Sequence, residues 1–167
     1  MVQRPTLRWL IVGVVLGAVL CGASPAGAAQ PEVSAFHLDT TDPILDCGGF
    51  TIFDHAVADF ALRLFTDGSG APDRLQVHVH GTDALFNPVS GLSYASPQDW
   101  TVIVNFAKQT EAHVGISMGV TVPHYGALLV FAGRLVYDGN GDVVQYAGPP
   151  QAANPDAGKL CAAFSSL

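Results

Sequence analysis

Basic residues are scarce in this chain. Seven lysines and arginines stand against 14 aspartates and glutamates, and two of the seven, Arg4 and Arg8, belong to the first eight residues. Nucleic acid and anionic lipid both select for clustered Lys and Arg, because the phosphate term dominates their binding. No such cluster exists here, so neither is expected as a partner. Also missing are an internal repeat at a fixed period and any low-complexity tract. Cysteine is sparse, with three in 167 residues.

What is present begins with an export signal. Arg4 and Arg8 form a positive start, Trp9 to Cys21 is an uncharged apolar stretch, and Ala26-Gly27-Ala28 is a small-x-small cleavage signature. The apolar stretch is shorter than the roughly 20 helical residues that span a bilayer. Leu20 precedes Cys21 where a lipoprotein signal needs a small residue. Residues 1–29 therefore read as a cleaved signal peptide, which implies a secreted protein with no membrane span after cleavage. The mature part keeps Arg63, Arg74, Lys108, Arg134 and Lys159 against all 14 acidic residues, a formal charge near −9. Its size suits one domain.

Two cysteines remain after cleavage, Cys47 and Cys161. In an oxidising compartment the simplest reading is that they pair. Chain-entropy arguments give a loop of this length roughly 4 to 5 kcal/mol, an upper figure.

Residues 30–46 are polar, contain Pro31 and Pro43, and show no sustained period; they read as a leader that becomes ordered near Cys47. The β domain is expected over 47–167. There, Leu75, Val77 and Val79 alternate with Gln76, His78 and His80. Trp100, Val102, Val104 and Phe106 repeat the pattern, as do Val114, Ile116, Met118, Val120 and Val122. Period two is the strand period. Asp67-Gly68-Ser69-Gly70, Asn87-Pro88, Pro97, Pro123 and Asp138-Gly139-Asn140-Gly141 punctuate the strands as turns. The expectation is an all-β fold: an antiparallel β-barrel of about seven to nine strands, with a β-sandwich as the alternative and a short helical turn over 159–164.

Cys47-Gly48-Gly49-Phe50, the stretch from Gly81-Thr82 to Asn87-Pro88-Val89-Ser90-Gly91, the turn Gly133 to Gly141 and the late Cys161 together resemble a group of small exported β-rich proteins, mostly actinobacterial, without an established function. That group more often has Cys-Gly-Phe, one residue shorter than here. The resemblance implies a β-rich exported domain over most of the mature chain. It carries no functional residues with it.

Few residues offer chemistry. Gly115-Ile116-Ser117-Met118-Gly119 matches the G-x-S-x-G nucleophile elbow, but that motif needs a strand-to-helix turn. Here it lies within an alternating run that continues as Val120-Thr121-Val122-Pro123, so a strand bent by a bulge is the better reading. His78 and His80 lie two apart on one strand face and could share a metal if a third ligand, such as His113, His55 or Asp54, came from another strand. They could equally line a polar cavity or face water, and no metal or cofactor is assigned. Asp54 and His55 are adjacent, so they point to opposite faces and form no dyad. Asp59 and Arg63 share a face. Asp138 to Asp142 resembles the opening of a calcium loop, but Val143 and Pro149 stand where Gly and Glu are required.

Three readings of function follow. The favoured one is a non-catalytic module holding a small, apolar ligand inside or at the mouth of the β-structure. An enzyme would need His55, His78 and His113 clustered with a carboxylate on one inner face. A plain interaction or envelope protein would show a filled interior and an exposed apolar patch. No catalytic residue is assigned.

Overall fold

The computed structural model describes residues 30–149 and 156–165, apart from the side chains of 129 and 130. The proposed signal peptide lies outside them. Seven strands follow one another: β1 (Glu32–Asp46), β2 (Thr51–Thr66), β3 (Pro72–Phe86), β4 (Ser93–Asn105), β5 (Thr110–Val122), β6 (Gly126–Tyr137) and β7 (Val143–Ala147). Among the described residues one helix, α1 (Ala157–Phe164), follows the strands. The strands form a single antiparallel sheet in sequence order, a meander. The expected all-β class and the terminal helical segment are both found. Among the described residues no ladder joins β1 to β7, so hydrogen bonds do not close the sheet.

Pro97, expected at a turn, instead lies within β4 opposite Thr82; the other turns work as their residues suggest. Asp67 Oδ1 accepts from the backbone N–H of Ser69 and Ala71, and Gly70 takes a φ of 85°. Asp138 Oδ1 accepts from Asn140 and Asp142 in the β6–β7 hairpin. These side chains mimic a turn's own hydrogen bonds. The Asp138–Asp142 segment is therefore a hairpin turn.

Residues 30–46 depart from expectation. Instead of a leader, Glu32–Asp46 is a strand paired along β2 from Glu32↔Leu64 to Asp46↔Thr51. The alternation is hard to see because β1 is an edge strand, exposed over most of its length. Phe36 and Leu38 turn inward opposite Phe60 and Ala58, and Ile44 and Leu45 at its far end pack on the cluster around Ile52. Pro43, which cannot donate to a ladder, sits at the register shift before Leu45.

The registers place Phe60, Leu62 and Leu64 of β2 beside Val79, Val77 and Leu75 of β3, and these beside Trp100, Val102 and Val104 of β4. They form one apolar cluster on what we term the inner face. A second cluster fills the other end, where Leu160, Ala163 and Phe164 of α1 pack on Ile52, Leu85, Val120, Val122 and Leu128. Phe164 is fully buried. Burying such a side chain is worth roughly 1.5–3 kcal/mol. Asp156 caps α1 by accepting from Lys159 N, and Cys161 bonds Cys47 with a Cα–Cα distance of 5.6 Å. The expected disulfide thus ties the helix to the β1–β2 turn.

Gly115 and Gly133 face each other across β5 and β6. Their φ values are 119° and 103°. A Cβ would meet Asp99 O at 2.4 Å and Ala147 O at 2.2 Å respectively, so only glycine allows the strands to approach in this way. The register also shifts between Ile116 and Met118. The G-x-S-x-G sequence is thus a bulged stretch of β5, with Ser117 Oγ donating to Phe131 O.

Candidate functional site

The histidines singled out by sequence separate onto two faces. His55, His78 and His80 are on the outer face. There the register sets His37, Asp59, His80 and Asp99 directly opposite one another across β1 to β4. His37 Nδ1 is 2.8 Å from Asp59 Oδ1, and His55 Nε2 is 2.9 Å from Asp39 Oδ1. His80 Nδ1 and His78 Nε2 approach Asp99 at 3.6 and 4.0 Å. All these groups are well exposed, and exposed ion pairs contribute at most about 1 kcal/mol each. They make a mixed-charge surface.

His113 is on the inner face, opposite Val102 and Leu135. Its ring lies between Trp100 and Tyr137, 5.3 Å from each centroid, and its Nε2 is 2.5 Å from Glu111 Oε1. The structure therefore does not gather His55, His78 and His113 on one inner face, as the His-based enzyme reading required. Among the described residues no three His, Cys, Asp or Glu are placed to hold a metal ion. Asp54 and His55 point to opposite faces, as adjacent strand residues must.

What the inner face does assemble is a polar belt between the two apolar clusters. Asp42 faces Asp54 across β1–β2, and Asp83 faces Ala56 on β2 and Ser96 on β4. Asp83 and Asp54 are thus diagonal neighbours. Trp100 Nε1 donates to Gln98 Oε1 at 3.2 Å, and Gln98 Nε2 donates to Asp83 Oδ1. Both ends of the Gln98 amide are thereby fixed. Ser96 Oγ accepts from Gly119 N at 2.7 Å, joining β4 to β5 beyond their last paired residues. Asp83 and Gln98 are 2% and 7% exposed, whereas Asp42 at the β1 edge is open to water. The belt runs from solvent into the middle of the molecule.

Burial shapes its electrostatics. Desolvation first, then the charge of Asp42, pushes the Asp54 carboxyl up to about 6, with His55 acting the other way. Desolvation and the charge of Asp54 push Asp83 up to about 7, against the hydrogen bond from Gln98. Asp54 Oδ1 is buried and has no hydrogen-bond partner among the described residues. An orphaned buried acceptor is destabilising by about 1–3 kcal/mol, and such groups call for an explanation.

From sequence, Asp54 stands out only beside His55 and as a third ligand for His78 and His80, and Asp83, Gln98 and Trp100 are passed over as site residues. A signal existed. Continuing the parity of Leu75, Val77 and Val79 through Gly81 leads to Asp83 on the buried face. The same parity from Phe60 back through Ala58 and Ala56 leads to Asp54. Comparison with known families, curated proteins and solved structures finds no match to this chain, so its functional assignment rests on this geometry.

Proposed function

We propose that the chain is an exported, non-catalytic module that binds a small, largely apolar molecule on the inner face of its sheet. The observation that carries this reading is the buried, unpartnered Oδ1 of Asp54 within the polar belt. A ligand hydroxyl or amine would satisfy it. The open side of the sheet gives access: Phe36, stacked on Phe60 at 4.5 Å, is still 42% exposed, and Leu38 and Thr40 lie between it and Asp42. An apolar body resting on Phe36 and Leu38 would direct its polar end toward Asp54. A few placed polar groups in an apolar surround are the usual composition of such sites. The Cys47–Cys161 bond and the signal-like N-terminus support secretion.

Native mass spectrometry of protein recovered from its secretion medium tests the proposal. The expected result is an added organic mass that is lost on denaturation and missing from Asp54→Leu. A bare wild-type mass, or an adduct that persists in Asp54→Leu, would overturn it. A second reading is favoured by Asp54 and Asp83 themselves: carboxyls raised to about 6 and 7 titrate where a general acid and base must. Under that reading the adduct would be turned over and released in altered form.

A further inference from the structure

On the outer face, away from the belt, lies a hollow of about 220 Å³ lined by Ala61, Arg63, Gln76, His78 and Thr101. The registers explain it. Arg63 pairs with Gln76, and Ala61 with His78, which pairs in turn with Thr101. The methyl of Ala61 is small beside its four longer neighbours, so the sheet surface dips there. Each of those neighbours carries a hydrogen-bond donor: a guanidinium, an amide, an imidazole and a hydroxyl.

The charge of this hollow runs against that of its surroundings. The mature chain is strongly acidic, and the exposed histidines of this face are matched by Asp39, Asp59 and Asp99. Arg63 has no carboxylate partner among the described residues. Arg74, its diagonal neighbour, lies over the Phe65 ring at 4.2 Å and likewise pairs with no acid. Two of the five basic residues of the mature chain thus stand together, beside a donor-lined hollow, with their charge uncompensated.

We propose that this hollow binds a small hydroxylated carboxylate, independently of the inner-face site. Arg63 holds the carboxylate in its planar fork, a geometry that lysine cannot reproduce. Gln76, His78 and Thr101 bind the hydroxyl groups beside it. The hydrogen bond of 3.3 Å between His78 Nδ1 and Thr101 Oγ1 holds these two side chains together at the edge of the hollow.

The test is an amide NMR titration of the full mature protein with sodium glucuronate, with glucose as the uncharged control. Saturable shifts confined to residues near 61–63, 76–78 and 101 are expected for glucuronate and none for glucose. Arg63→Gln should weaken binding at least about tenfold, the loss of one charge-assisted contact. Ala61→Phe should abolish binding by filling the hollow while leaving the charges intact. Both positions are on the solvent face, and an unchanged unfolding midpoint would confirm that each variant folds. Linear, non-saturating shifts would overturn the proposal, as would binding unaffected by either substitution. Inorganic phosphate competing as well as glucuronate would overturn the carboxylate assignment.

Discussion

Replacing Asp83 by asparagine should stabilise the protein, and only above a defined pH. The side chain is 2% exposed, and its carboxyl is raised from 3.8 to about 7, chiefly by burial. At about 1.36 kcal/mol per pH unit, that gap corresponds to about 4 kcal/mol between the protonated and ionised forms. Relaxation and water reaching an open sheet lower it, so we take 2–4 kcal/mol as the range, roughly. The folded state holds the proton more tightly than the unfolded chain. The contribution of Asp83 is therefore complete below about pH 4, declines as pH rises toward 7, and is lost above that. Asparagine keeps the size and can still accept from Gln98, but it does not ionise. Urea unfolding followed by tryptophan fluorescence, from pH 4 to pH 8, should show the two proteins nearly equal at pH 4. At pH 8 the variant should be more stable by about 2–4 kcal/mol. Taking the difference between the proteins removes the other carboxylates common to both. A variant less stable at pH 8, or a difference that does not change with pH, would refute the reasoning that Asp83 is ionised at a desolvation penalty.

Two further substitutions probe the scaffold. Cys161→Ser opens a link between residues 114 apart in sequence and should cost up to about 4 kcal/mol, read from the denaturation midpoint, with α1 the first element to lose amide protection. Gly133→Ala introduces a Cβ 2.2 Å from Ala147 O at a φ of 103° and should cost at least about 2 kcal/mol, whereas Gly49→Ala, with nothing within 4 Å of its Cβ, should be near neutral in the same thermal melts.

Local rules were enough to read much of this fold. The runs of alternating residues at 75–80, 100–105 and 114–122 lie in strands, with Phe106 the first residue of the turn that follows β4, because period two survives wherever one face of a strand is buried. Asp67, Asn87 and Asp138 mark turns through hydrogen bonds to residues two to four positions on, which need no tertiary partner. β1 escaped because an edge strand may be polar on both faces, and its pairing depends on β2 rather than on its own pattern. The candidate site escaped for a related reason. Its members, Asp54, Asp83, Gln98 and Trp100, come from three strands, and nothing local to any one of them marks it as part of a belt.

The sequence by itself determined the β class, the turns, the pairing of Cys47 with Cys161 and the terminal helical segment. Each follows from spacing along the chain or, for the cysteines, from there being only two outside the signal-like N-terminal stretch. Only the tertiary structure decided which side of each strand is inside. Alternation fixes that His78 and Val79 oppose each other but not which one meets the core, and that choice is made by register with neighbouring strands and by α1 covering one end. It turned His55, His78 and His80 to solvent and His113 inward, and it buried Asp83 beside Asp54. The sheet's handling of those two carboxylates is a property of burial, which no single strand possesses alone.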